Sequence, residues 1–205
     1  AAMPYQSLRE FMARLEREGR LLRVSAPVSP HLEMTEIQSR VVAEGGPAIL
    51  FENVVGRDGA RSPIPVLVNL FGTIERVAWG MDREPHQLRE VGETLAFLKQ
   101  PEPPGGWKEA FEMLPLLRTV MAMKPKTVSK APCQDVVLTG ADIDLGILPI
   151  QTCWPGDAGP LITWPLVVTR GPKVDQAGGD KRDVTNLGIY RMQVIDRNKV
   201  LLRWL

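Results

Sequence analysis

A proline-glycine block, Pro101-Glu102-Pro103-Pro104-Gly105-Gly106, divides this chain near its midpoint. Proline locks φ and withholds a backbone donor, so neither a helix nor a central strand runs through such a block. The two flanks differ in character. Before it, helical and extended patterns alternate. After it, once a short helical stretch ending at Lys124-Pro125-Lys126 has passed, apolar runs of strand length take over. The change predicts an α/β (α+β) chain with an N-terminal α/β domain over 1–125 and a β-rich part over 126–205.

The first flank opens on a capping box. Ser7 stands three residues before Glu10, so the Ser7 hydroxyl is placed to accept from the Glu10 N–H and the Glu10 carboxylate to reach back to the Ser7 N–H. Leu8, Phe11, Met12 and Leu15 then share one helical face, and Gly19 supplies the stop. Leu21 to Ser25 reads as a strand and Leu32 to Glu44 as a second helix closed by Gly45-Gly46. Ala48 to Phe51 reads as a short buried strand, and Pro65 to Leu70 as another. Helical patterns follow around Thr73 to Trp79 and Pro85 to Leu98, then Trp107 to Leu114 and Leu116 to Met123.

In the second flank, Val136-Val137-Leu138 and Ile147 to Ile150 are short apolar runs separated by turns. Leu161 to Arg170, Leu187 to Ile195 and Val200 to Leu205 are longer, and Asp196-Arg197-Asn198-Lys199 reads as a hairpin connection between the last two. The sequence stops at Leu205 inside an apolar strand pattern, whereas domain ends lie in exposed linkers. The expectation is a fragment of a longer protein.

Composition excludes several classes. Twenty-five basic residues against 24 acidic ones, dispersed along the chain, make no field for nucleic acid. Cys133 and Cys153 belong to no CxxC, which argues against zinc and for two free thiols in a reducing cytosol. No apolar run approaches a membrane span. His31 and His86 each follow a proline at a helix start and read as surface residues. Glu33, Glu36, Glu44, Asp142 and Asp144 read as solvated faces and caps. There is no GxSxG, P-loop or GxGxxG.

Two stretches can carry chemistry. Asn186-Leu187-Gly188-Ile189-Tyr190-Arg191 follows a Gly- and charge-rich loop, Gly171 to Asp183. Asn186 offers a neutral oxygen to a hard cation. Gly188 admits close approach to the backbone. Arg191 can grip a phosphate or carboxylate with two parallel hydrogen bonds. The alternative is an ordinary strand with polar residues facing water. The second stretch, Thr152 to Trp164, packs Cys153, Trp154 and Trp164 with Pro155 and Pro160 around a loop. It is either a rigid loop with core tryptophans or a wall for a planar ligand, with Thr163 offering a hydroxyl.

A run of separated segments in order resembles one family. They include Gly46 to Asn53, Asn69-Leu70-Phe71-Gly72-Thr73, Ala96 to Pro104, Leu148-Pro149-Ile150, Thr152-Cys153-Trp154-Pro155, Pro160 to Trp164, Val168 to Pro172, Asn186 to Arg191 and Arg203-Trp204-Leu205. Together they resemble the UbiD family of decarboxylases, within it the polyprenyl-4-hydroxybenzoate carboxy-lyases of ubiquinone biosynthesis. The resemblance implies that 126–205 is the start of a flavin-reductase-like split β-barrel binding prenylated FMN, with manganese and potassium. It implies Asn186 as a metal ligand and Ile189, Tyr190 and Arg191 along the flavin. Arg203, Trp204 and Leu205 would be the next cofactor-contacting segment. Arg191 would also orient the family's catalytic glutamates.

The family's glutamates and its histidine segment fall beyond Leu205, so the resemblance further implies that these 205 residues are inactive alone. Val174 to Arg182 is longer than the family's pattern and reads as a loop. The implied partners are an aromatic acid substrate, a prenyltransferase that supplies the prenylated flavin, and copies of the same chain in a homo-oligomer. The implied location is the cytoplasm, with peripheral contact at the inner membrane for a polyprenyl substrate. A second reading, from another class, is a non-catalytic flavin- or anion-binding module.

Overall fold

The computed structural model describes residues 5–100, 106–108, 114–122, 128–170 and 185–203. It is a mixed α+β chain with small sheets. Two compact units form, neither of them continuous in sequence: residues 1–21 with 70–137, and residues 22–69 with 138–205. The expected division at 125/126 runs along the chain, whereas these units are sets of residues in contact.

The first unit is helical. Helix α1 (Leu8–Arg17) starts at Ser7, whose hydroxyl accepts from the Glu10 N–H at 3.4 Å. The second half of the expected capping box differs. The Glu10 carboxylate accepts from Gln6 N–H at 2.6 Å, one residue earlier than Ser7. Of the expected apolar face, Phe11 and Leu15 are buried while Leu8 lies open. Helix α3 (Ile74–Gly80) is capped by the Thr73 hydroxyl. A turn of 3-10 helix at Pro85–Gln87 leads into α4 (Leu88–Lys99), and α5 spans Leu114–Ala122. Arg76 of α3 is buried and donates from Nε to the Leu70 carbonyl at 3.1 Å. The expected linker, from Pro101 to Gly105, and most of the helix expected over Trp107 to Leu114 lie outside the described residues.

The second unit holds the core. Strands β1 (Leu21–Val24, from Leu22 on), β2 (Ala48–Phe51) and β3 (Val66–Val68) form a sheet in that order. β2 and β3 run antiparallel, Ile49 opposite Val68 and Phe51 opposite Val66. Helix α2 (Glu33–Ala43) contributes Met34, Ile37 and Val41 to a cluster with Val28, Ile49, Phe51, Val54 and Val68. All four residues of β2 are buried. Its central place in the sheet, covered on both faces, buries them.

The later part of the chain departs from expectation in its detail. Val136 to Ile150 forms 3-10 turns at Gly140–Asp142 and Leu145–Ile147 and no strand, and Val136 and Val137 are exposed. Two of the three expected long strands divide. Leu161 to Arg170 divides into β4 (Leu161–Ile162) and β5 (Leu166–Arg170). Leu187 to Ile195 divides between β6 (Thr185–Ile189) and β7 (Met192–Asp196), and β8 is Lys199–Leu202. The expected hairpin joins β7 and β8, pairing Met192 with Leu202 and Asp196 with Lys199. The loop expected over Val174 to Arg182 lies outside the described residues.

Candidate functional site

Residues 161–170 and 185–196 form one antiparallel ribbon with a fault in its middle. On one side β4 pairs with β7, Leu161 opposite Gln193 and Ile162 opposite Met192. On the other β5 pairs with β6, from Leu166 opposite Ile189 to Arg170 opposite Thr185. Between these ladders Thr163, Trp164 and Pro165 stand opposite only Tyr190 and Arg191. Pro165 has no N–H to give, so pairing lapses there. An extra residue on one strand bends it and re-aims the neighbouring side chains, as β-bulges do.

The fault opens a cleft of about 460 Å³, within the span of roughly 300–1,000 Å³ that small-molecule sites occupy. Thr163, Trp164 and Arg191 line it from the fault. Gln151, Cys153 and Trp154 line it from the preceding loop, and Thr35, Gln38, Ser39 and Val42 from α2. That loop is held closed by Asp157, whose Oδ2 accepts from the Trp154 N–H at 2.9 Å and the Cys153 N–H at 3.2 Å. A carboxylate bonded twice to the loop's own backbone fixes where the tryptophan stands. Trp154 and Trp164 are 56% and 70% exposed, so neither is a core residue. Arg191 is exposed and has no ion pair or hydrogen bond to any described residue. No carboxylate is among the cleft's described lining.

Of the other expected site residues, Tyr190 is half-buried and its ring lies over Gly188. A Cβ on Gly188 would fall 2.5 Å from Tyr190 Cε2. The group that glycine admits to the backbone is therefore the adjacent phenol. Asn186 is exposed on β6 opposite Thr169, and Ile189 is exposed opposite Leu166. Neither lines the cleft. Arg203 is exposed just after β8, and Trp204 and Leu205 lie outside the described residues. Among the described residues no three His, Cys, Asp or Glu side chains gather to hold a metal. Asn186 by itself does not make a metal site. Trp154, Trp164, Thr163 and Arg191 do fit a planar, anionic group.

Sequence reasoning missed the α2 wall and Gln151. The signal was present: Thr35, Gln38, Ser39 and Val42 are spaced i, i+3, i+4, i+7. They form a neutral stripe between the core face of Met34, Ile37 and Val41 and the charged face of Glu33, Glu36 and Arg40. A second cleft of the same unit, about 480 Å³, is bordered by His31, Arg57, Asp58 and Asp157. There cation and carboxylate are mixed, so no single sign of charge dominates the lining.

Fold and cleft together define an α+β protein with a cofactor-sized site built at a strand fault. Two family models match the chain: the 3-octaprenyl-4-hydroxybenzoate carboxy-lyase N-terminal domain over residues 12–95, and the Rift-related domain of the same carboxy-lyase over residues 126–205. The chain belongs to the UbiD family of decarboxylases.

Solved structures agree. An evolved dimeric form of the UbiD-class enzyme HmfF from Pelotomaculum thermopropionicum, in complex with prFMN, is 27% identical. It superposes with a TM-score of 0.69 over 98% of this chain and 39% of its own. The vanillic acid decarboxylase of Sedimentibacter hydroxybenzoicus is 25% identical, TM-score 0.69, over 97% and 36%. The 3,4-dihydroxybenzoic acid decarboxylase from Enterobacter cloacae is 26% identical, TM-score 0.70, over 98% and 37%. The chain thus spans under two fifths of the length of these relatives.

Proposed function

We propose that this chain forms the cofactor-facing part of a prFMN-dependent decarboxylase of aromatic acids, with a polyprenyl-4-hydroxybenzoate as substrate. The observation that carries the reading is Arg191, a guanidinium without a partner among the described residues, which lines a cleft of cofactor size together with Trp154 and Trp164. When bound, the prenylated flavin supplies an electron sink for the pair that carbon dioxide leaves behind. The chain's own residues bind and orient. Arg191 offers a planar fork of N–H donors that matches a carboxylate or phosphate. The indoles of Trp154 and Trp164 offer flat apolar faces that displace water from an aromatic ring. Thr163 offers one hydroxyl. The proton that replaces the carboxylate comes from outside this set, because the cleft's described lining holds no acid.

The finer assignments belong to the same proposal. Asn186 is one oxygen ligand of a divalent cation such as manganese, with potassium nearby. Ile189, Tyr190, Arg203, Trp204 and Leu205 border the flavin. A prenyltransferase supplies the cofactor, and the full-length protein is a cytoplasmic homo-oligomer that meets a membrane surface peripherally to reach a polyprenyl substrate. No helix among the described residues is long and apolar enough to cross a membrane. The lack of an acid in the cleft also favours a second reading, a flavin- or anion-binding module without catalysis.

Turnover of the full-length protein with Arg191→Ala separates them. Loss of decarboxylation with unchanged thermal unfolding is the expected result. Unchanged turnover removes Arg191 from the mechanism, and a wild-type protein that binds flavin without decarboxylating any aromatic acid leaves the module.

A further inference from the structure

Gln151 carries a side-chain amide with no hydrogen-bond partner among the described residues. Its backbone is firmly placed. The Gln151 carbonyl accepts from the Leu161 N–H at 2.8 Å, and Leu161 pairs with Gln193, two residues beyond Arg191. The next residue, Thr152, bonds the loop before α2 in both directions, donating to the Pro30 carbonyl at 3.1 Å and accepting from the Leu32 N–H at 2.9 Å. Main-chain bonds therefore pin residue 151 between α2 and the strand fault, and its side chain lines the Arg191 cleft. Yet Nε2 is sealed from solvent with no hydrogen-bond partner, and Oε1 has none among the described residues.

A buried amide N–H2 left unpaired costs free energy that an apolar side chain of similar length does not. The terminal torsion of glutamine is broad and two-fold. Half a revolution turns the N–H2 towards the cleft and buries the carbonyl, which tolerates a missing partner better than an N–H. The cleft then presents the Gln151 amide and the Arg191 guanidinium as donors, with no carboxylate in its described lining to compete for them. Such a site selects an oxyanion.

We propose that Gln151 binds the ligand's oxyanion together with Arg191. The identity of that ligand rests on the functional reading above; the donor role of Gln151 does not. The oxyanion is either an aromatic carboxylate or a flavin phosphate, and both present oxygens to the same two donors.

Trp154 and Trp164 line the same cleft, so their fluorescence reports its occupancy while calorimetry measures affinity. The full-length protein is titrated with 4-hydroxybenzoate, FMN and inorganic phosphate, as wild type, Gln151→Met and Gln151→Glu. Gln151→Met should weaken whichever probe the wild type binds by roughly ten-fold, the worth of a hydrogen bond to a charged group. Gln151→Glu should weaken it further by charge repulsion. Gln151→Met should also raise the melting temperature, because it removes an unpaired buried amide. Sensitivity confined to 4-hydroxybenzoate identifies a carboxylate site, and sensitivity shared by FMN and phosphate a phosphate site.

Equal affinity of wild type and Gln151→Met overturns the proposal, as does a wild type that binds none of the three. A lower melting temperature with unchanged binding assigns Gln151 a structural role instead. Failure of decarboxylation in the full-length protein with Gln151-dependent binding intact would remove the functional reading alone.

Discussion

Ile49, Leu50 and Phe51 in β2 are 1%, 6% and 0% exposed; Leu166, Val168, Leu187 and Ile189 in β5 and β6 are 67%, 66%, 61% and 56% exposed. Both stretches are apolar strands of the same unit. β2 is the middle strand of its sheet and packs on α2 through Met34 and Ile37. β5 and β6 form a two-stranded ladder on which alternate residues, Leu166 and Val168 with Ile189 and Leu187, share one open face. Burial belongs to what covers a strand and is not encoded by its apolar content. The site sits where the covered and open regions meet, since Arg191 lies past the end of the open ladder and α2 belongs to the covered core.

The largest expected effect lies in the covered strand. Phe51→Ala should destabilise by about 4 kcal/mol, from lost transfer energy and the cavity left behind, read as a lower denaturant midpoint. A change under 1 kcal/mol would mean that β2 is no better covered than the ribbon. Next comes the close contact at the fault. Gly188→Ala forces the Tyr190 ring aside and should cost about 1 kcal/mol, with a changed tyrosine near-ultraviolet signal. An unchanged signal would place the ring elsewhere.

Leu187→Ser on the open face should fall within about 0.5 kcal/mol of wild type. A loss approaching that of Phe51→Ala would show the face to be covered in solution.

The smallest effect is electrostatic. The Arg197 N–H, at 2.7 Å, and then Lys199, at 3.2 Å, hold the exposed Asp196 carboxylate below its usual range. A lowered folded pKa contributes stability above the unfolded value of about 3.9 and loses it as pH falls through the folded value. Asp196→Asn should therefore differ slightly from wild type at neutral pH and converge with it in acid. Urea melts across that range would sink the idea if the gap widened in acid.

Local elements were legible in the chain. Ser7, Thr73 and the Asp196–Lys199 turn announced helix starts and a hairpin through side-chain chemistry that acts within a few residues. The continuous strands expected from Leu161 and Leu187 were not what formed. Apolar periodicity does not register that Pro165 interrupts a ladder and shifts its pairing by one residue. Val136-Val137-Leu138 is exposed and forms no strand, for the related reason that a strand needs a partner to pair with.

The residues of the site divide in the same way. The residue types in Asn186 to Arg191 and in the tryptophan loop by themselves determined which groups are offered: a guanidinium, two indoles and a hydroxyl. Only the tertiary structure decided that Arg191 and Thr163 share a cleft with α2 and Gln151, while Asn186 and Ile189 lie on an open ribbon. Side-chain chemistry travels with each residue. The meeting of residues 35, 151 and 191 depends on backbone bonds such as Leu32 to Thr152 and Leu161 to Gln151, which join segments more than a hundred residues apart and others only ten.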